Sequence, residues 1–192
     1  PVPLVDYDEA TARALAASLQ AALDAEIGAG VVPVVVGFPD AQEGQPAGPA
    51  FVSISYGQAE EAAVNPSTYR ETADGDSIEV LTTVARWELS VQVDLFASQR
   101  DQRAELGPVI RQALSPGTAH PKLALTLDDY HDLVVLLAVD SVQDPDDEDA
   151  FVAREWRRTW SCTVTGRTLT GRTLVSLDDN RTTLTAARSI DI

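Results

Sequence analysis

Asp144, Asp146, Asp147, Glu148 and Asp149 put five carboxylates into six positions, inside the run QDPDDED at 143–149. Oxygen ligands at that density suit a hard cation such as calcium, and a carboxylate pair in such a turn suits the acid and base of a small hydrolase. The calcium reading fails on spacing. An EF-hand loop needs glycine at its sixth position and glutamate at its twelfth. Counting from Asp144, these are Asp149 and Glu155, so the glycine that makes the sharp turn is missing. A solvated hairpin turn accounts for the run more simply. His120 and His131 stand eleven apart, in HPK and YHD, with no HxxxH or CxxC companion, so neither has metal-site spacing. No GxSxG, GxxxxGK[ST] or GxGxxG occurs, and SISYG lacks the spacing of a nucleophile elbow. Arg154, Arg157 and Arg158 lie beside Trp156 and Trp160. That pairing suits stacking on nucleic acid, or an ion pair with an acidic loop, here or across a subunit boundary.

Charge decides between those two. Fourteen Lys and Arg against thirty Asp and Glu give a net charge of -16. A broad basic surface for phosphate contacts is therefore excluded, and adsorption to anionic membranes is disfavoured. The ion pair is the expected use of the arginines. Cys162 is the single cysteine, so no intrachain disulfide forms, and its place on an apolar register predicts a buried structural thiol. No apolar run approaches the ~20 residues of a spanning helix, and no signal-peptide pattern opens the chain. Neither cofactor nor metal is expected.

The elements that would position these residues follow from periodicity. Residues 6–27 read as an amphipathic helix, with Asp6 as cap, Glu9 as its capping-box partner, a stripe of Ala12, Leu15, Ala16, Leu19, Ala22, Leu23 and Ile27, and Gly28 and Gly30 as its stop. Pro33 makes VVPVVVGF an edge strand or a late start, and FVSISYG is a short strand. Positions 58–77 are polar and read as a long surface loop. From Ser77 to Ala97 the β signal is unbroken. Trp87, Leu89, Val91, Val93 and Leu95 alternate with Glu88, Ser90, Gln92 and Asp94, giving one buried and one wet face. Twenty-one residues span roughly 70 Å, so the segment either bends at Thr83–Arg86 or forms one arm of a long hairpin. A second helix is expected over 99–114, with a kink or late start at Pro108. HPKLALTLDDY is ambiguous. HDLVVLLAVDSV reads as a central strand covered on both faces, and a second long strand runs from Phe151 to about Thr165. The fold class is α+β: a mixed, mainly antiparallel sheet with two helices on one face, long hairpin arms and an extended C-terminal tail. The expected division is a single domain over 1–166 and an arm over 167–192.

The order of these elements carries a resemblance. A long strand ending VQVDLFA, a helix RAELGPVIRQAL, an apolar strand HDLVVLLAVDSV, an acidic turn and a long strand VAREWRRTWSCTVTG together resemble the tail terminator and neck (head-tail connector, tail-completion) proteins of tailed bacteriophages. The resemblance covers roughly residues 8–166 and rests on pattern and order. It implies a structural virion protein without enzymatic activity, assembled in the host cytoplasm. It implies a ring, usually six-fold, that ends the tail tube, meets tail tube or sheath subunits and a head-side connector, and passes DNA through its lumen. An acidic lumen would let DNA slide without adhering. The candidates to line it are Glu60, Glu61, Asp74 and Asp76, and Asp144, Asp146, Asp147, Glu148 and Asp149. Arg154, Arg157 and Arg158 are the candidates for contacts between subunits. The alternatives are a small hydrolase using the 144–149 carboxylates and a monomeric binding module.

Overall fold

The first helix, α1 (Tyr7–Glu26), is built from alanine and leucine, which lose little side-chain freedom in a helix. Its buried residues Thr11, Ala12, Leu15, Leu19 and Leu23 recur at helical spacing. Gly28 and Gly30 follow with φ of 120° and 71°, a region that glycine enters without a Cβ clash, and they turn the chain out of the helix. Ile27 falls in this turn and is exposed, so the apolar stripe ends at Leu23. The computed structural model describes residues 7–37, 49–74, 77–116, 122–127, 133–144 and 156–175; Asp6, the expected cap, lies outside them.

The chain continues through β1 (Val34–Val36), β2 (Ala50–Tyr56), β3 (Glu60–Asp74) and β4 (Ser77–Ala97) to α2 (Arg100–Leu114). It then forms β5 (Lys122–Leu127), β6 (Leu133–Gln143) and β7 (Trp156–Val175). The strands form one curled sheet in the order β1-β2-β4-β7-β6-β5, with β3 paired to β4. β1 runs parallel to β2, while β2 with β4, β5 with β6 and β6 with β7 are antiparallel. The fold is α+β, with a mixed, mainly antiparallel sheet and two helices. The helices lie side by side, and α1 touches both β1 and β5. They cover the register made of Val52 and Ile54, of Trp87, Leu89, Val91, Val93 and Leu95, of Val135 and Leu137, and of Trp160, Cys162 and Val164, all buried. From α2, Leu106, Ile110 and Leu114 join this core. The helix begins before Pro108 and runs through it, with the proline on the exposed side.

Three expectations need correction. Residues 60–74 are a strand, not a surface loop. The backbone groups on one side of it are met by β4, a pairing that polar composition does not reveal, and among the described residues β3 pairs with no other strand, an edge position in which Pro66 is tolerated. The order gains a further strand in β5, where the sequence was ambiguous. β6 is internal by pairing but is not covered on both faces: Val135 and Leu137 are buried, while Val134, Leu136 and Val142 are exposed.

The chain divides into two compact units, 1–61 with 87–166 and 62–86 with 167–192. The expected boundary after Gly166 is one of the dividing points, but 62–86 is grouped with 167–192 rather than with the first unit. The described residues of the second unit all lie in strands, with Thr83 and Ala85 buried.

Within the first unit, Gly166 of β7 lies under the Trp87 indole, which stacks on Tyr7 at 5.3 Å between ring centroids. A Cβ at 166 would overlap the Trp87 ring. We expect Gly166→Ala to destabilise by about 1–3 kcal/mol in urea unfolding, the usual range for overpacking. At Gly57 the nearest neighbour of an added Cβ is the Ser90 carbonyl at 3.9 Å. Gly57→Ala should therefore stay within about 0.5 kcal/mol. Equal effects at the two positions would contradict the Trp87 contact.

Candidate functional site

Alternation on β4 assigns Asp94 to the face away from the helices, and the structure adds that this face is covered there. The Asp94 side chain has no exposure. Oδ1 accepts from Arg157 Nε at 3.0 Å and from Thr159 Oγ1 at 2.6 Å, and stands 2.9 Å from Arg157 Nη2. Oδ2 accepts from Gln92 Nε2 at 2.7 Å. A buried carboxylate is tolerable when its charge is paired and its lone pairs are met, and here both conditions hold. Arg157 also lies over the Phe96 ring, 5.4 Å from its centroid, and Phe96 stacks on Phe51 at 4.8 Å. The aromatic pair and the guanidinium thus shield the carboxylate from water.

Next to this network is an open depression of about 310 Å³, bordered by Ser55, Tyr56, Ser90, Gln92, Asp140, Ser161 and Thr163. Thr163 Oγ1 donates to Asp140 at 2.7 Å. Gln92 is oriented from behind by Asp94. The lining offers hydroxyls, an amide and one carboxylate, and none of its serines has a basic partner in it. Hydroxyl nucleophiles need an adjacent base, so the depression suits polar docking better than acyl transfer.

A third cluster joins α2 to the end of β6. Arg158 holds Asp144 with two bonds, Nε to Oδ1 at 2.6 Å and Nη2 to Oδ2 at 2.7 Å. Arg103 approaches the same carboxylate at 4.0 Å and donates to the Arg157 carbonyl at 3.3 Å. Arg103 and Arg100 both lie over the Trp156 ring, at 5.2 and 5.9 Å. Gly107 gives Arg158 its passage along α2, since a Cβ there would overlap the guanidinium. The Asp144 carboxyl is held below its ordinary range chiefly by the Arg158 hydrogen bonds, against an opposing effect of burial, with the charges of Arg158 and Arg103 adding to the lowering.

The structure gives members of two groups of candidates partners within the chain. Arg157 and Arg158, expected at a subunit boundary, form their ion pairs inside this chain. Asp144, expected in a lumen, is neutralised by Arg158. The expected pairing of the arginines with an acidic turn is met, but by the turn's first residue and within one subunit. Glu60 and Glu61 are exposed at the start of β3, and Asp74 ends that strand. Asp76, Asp146, Asp147, Glu148, Asp149, Arg154, His120 and His131 lie outside the described residues. Cys162 is buried as expected, and burial pushes its thiol up to about 12. Among the described residues no three His, Cys, Asp or Glu side chains come together as a metal site, and no helix is long and apolar enough to cross a membrane. No protein-family model matches the chain, and no curated protein matches it.

Sequence reasoning missed the Asp94 network. Its partners lie 63 and 65 residues away, and the local pattern around Asp94 is that of any solvent-facing strand residue. The two ion pairs should respond differently to truncation. Arg157→Ala leaves a fully buried carboxylate short of its cation. We expect a loss of about 2–4 kcal/mol, reduced from the fully buried case because the guanidinium is a third exposed. Arg158→Ala leaves a solvent-accessible Asp144 and should cost about 1 kcal/mol or less. Urea unfolding of both variants checks the order.

Asp144 also sets a pH dependence. Its pKa is lowered on folding, so its contribution is complete above the ordinary carboxylate range and fades as pH falls through the lowered folded value. Asp144→Asn should be less stable than the parent at neutral pH, and the gap should close on acidification. A gap that widens toward acid would reverse the assignment.

Proposed function

We propose that this protein is a structural subunit of a phage-like particle: it forms a ring that ends a tail tube, joins it to a head-side neck connector and lets DNA through. The supporting observation is the length and division of β4 and β7. They have twenty-one and twenty residues, against about six in an ordinary strand. Each contributes one part to the helix-covered unit and another to a second unit whose described residues are all in strands. A catalytic domain has no need of such strands, whereas an assembling subunit uses added strand edges for contacts between chains. The net charge of -16 agrees with this reading. Like charge along a passage removes the counterion-release gain that makes DNA adhere.

On this reading Glu60 and Glu61 are the exposed acidic pair to line the passage, together with the acidic residues of 74–76 and 146–149. The Asp94 network and the Asp144 pair keep the subunit rigid. The partners are copies of the chain, tail tube or sheath subunits and a connector protein, and the location is the virion.

Native mass spectrometry tests the assembly. The expected species is a closed multimer of the 20.5 kDa chain, near six copies, in the free protein or on addition of tail tubes. A monomer under both conditions would overturn the proposal. Glu60→Lys with Glu61→Lys should leave that mass unchanged while increasing retention of DNA at low salt. Unchanged DNA retention would remove this pair from the passage.

A further inference from the structure

The depression of about 310 Å³ beside the Asp94 network lies within the helix-covered unit. Four strands wall it: β2 with Ser55 and Tyr56, β4 with Ser90 and Gln92, β6 with Asp140, and β7 with Ser161 and Thr163. Ser55 and Gln92 are direct cross-strand partners. Asp140 owes its place to an irregularity in β6. The register passes from Val139 opposite Cys162 to Ser141 opposite Ser161, so Asp140 is an extra residue with no counterpart on β7. A bulge re-aims a side chain, and bulges gather beside functional sites.

The polar groups of this depression are only half used. Asp94 carries the Arg157 ion pair and can only accept, so Gln92 must present its amide nitrogen to it. Gln92 Nε2 donates to Asp94 at 2.7 Å, which fixes the amide and leaves Oε1 as an acceptor. Gln20 of α1 shows the contrast. Its Oε1 accepts from the Val34 N–H at 2.9 Å, and its Nε2 donates to the Val32 carbonyl at 3.2 Å and to Asp24 Oδ1 at 2.7 Å, so both ends are engaged. Asp140 is fixed as Gln92 is: Oδ2 accepts from Thr163 Oγ1 at 2.7 Å, and Oδ1 has no partner among the described residues. The hydroxyls of Ser55, Ser90 and Ser161 also lack one there. The lining thus offers two held acceptors and three hydroxyls that both donate and accept.

These groups discriminate between ligands. An anion finds no Lys, Arg or His on the lining, in a chain of net charge -16. An apolar ligand needs a mainly apolar and aromatic wall, and this one is mainly hydroxyl, amide and carboxylate. An amine would satisfy the two acceptors and leave the serine hydroxyls idle. A neutral polyol satisfies both sets: its hydroxyls donate to Gln92 Oε1 and Asp140 Oδ1 and accept from the serines. Tyr56, 38% exposed, brings an aromatic ring with an apolar body and a polar tip, suited to the C–H side of a sugar ring. The volume is at the lower end for small-molecule sites, which suits one or two such rings.

We propose that this depression binds a neutral sugar of hexose type, with Asp140 and Gln92 as the orienting acceptors. The site belongs to the single chain, so it goes beyond the ring reading and stands or falls without it.

Saturation-transfer NMR on the full chain tests the site at any multimer size. The probes are D-glucose, D-galactose and D-mannose at millimolar concentration, with the diamine putrescine for comparison. The expected result is transfer to at least one hexose. Asp140→Ala should weaken that binding by about tenfold or more, the effect of losing a hydrogen bond to a charged group. Ser90→Val removes one hydroxyl and suits a strand, and should weaken it by a smaller factor. Both positions are exposed, so both variants should match the parent in urea unfolding. Glu105→Ala removes the same charge from an exposed position on α2 and should leave binding unchanged. Transfer to none of the hexoses, or transfer that Asp140→Ala and Ser90→Val both retain in full, would overturn the proposal. Transfer to putrescine alone would assign the site to amines, with the same consequence. Electrophoresis through gels containing dextran, galactan or mannan separates the two sources of a sugar. Retardation of the parent but not of Asp140→Ala assigns a polymer-linked sugar; hexose transfer without retardation assigns the free one, and either result upholds the site.

Discussion

A carboxylate without solvent exposure sits on the central strand of this sheet, and its neighbours are arranged around it. Asp94 of β4 takes its hydrogen bonds from Arg157 and Thr159 of β7 and from Gln92 of its own strand. Shifting β7 by one residue would exchange its two faces. It would strip the cation from a buried charge and move Trp160, Cys162 and Val164 out of the core. One ion pair thus selects the same register that apolar burial selects on the opposite side of the sheet. The packing of Trp87 over Gly166 confirms that register further along β7. The two strands that the rest of the sheet builds on are therefore fixed by electrostatics on one face and by shape on the other.

The network also gives the arginine-tryptophan segment of β7 partners inside the chain. Alternation sends Arg157 to the Asp94 face and Arg158 to the α2 face. Each meets a single carboxylate, and Trp156 receives Arg100 and Arg103 from α2. Within the described part of this basic segment, Arg157 and Arg158 are each engaged by a carboxylate of the same chain. Among the described residues the surface keeps Glu60 and Glu61 and the apolar Val134, Leu136 and Val142 of β6 exposed.

Elements with a buried face were legible. α1 and α2 end within a residue of their expected limits, because leucine spacing and glycine stops are local signals. The alternation from Trp87 to Leu95 gave the core register of β4 directly. Elements defined by partners were not legible. β3 has a polar sequence with Pro66 inside it, and only its pairing with β4 makes it a strand. β6 is apolar at nearly every position, so composition could not distinguish a strand buried on both faces from one with Val134 and Leu136 exposed. Asp94 was read as solvent-facing because the residues that bury it are distant in sequence. In the candidate sites, the arginines were recognised as pairing with acid, but which acid, and in which chain, depends on the fold.

The amide of Gln20 bears on how far this protein can polymerise. A sheet with two open edges is a bifunctional monomer: edges join edges, and growth has no natural end. In the helix-covered unit that amide already holds the Val34 N–H and the Val32 carbonyl, which a strand added at β1 would have to displace. For an acidic protein with exposed valine and leucine on its sheet, a side chain on α1 thus guards part of one edge against unlimited strand addition.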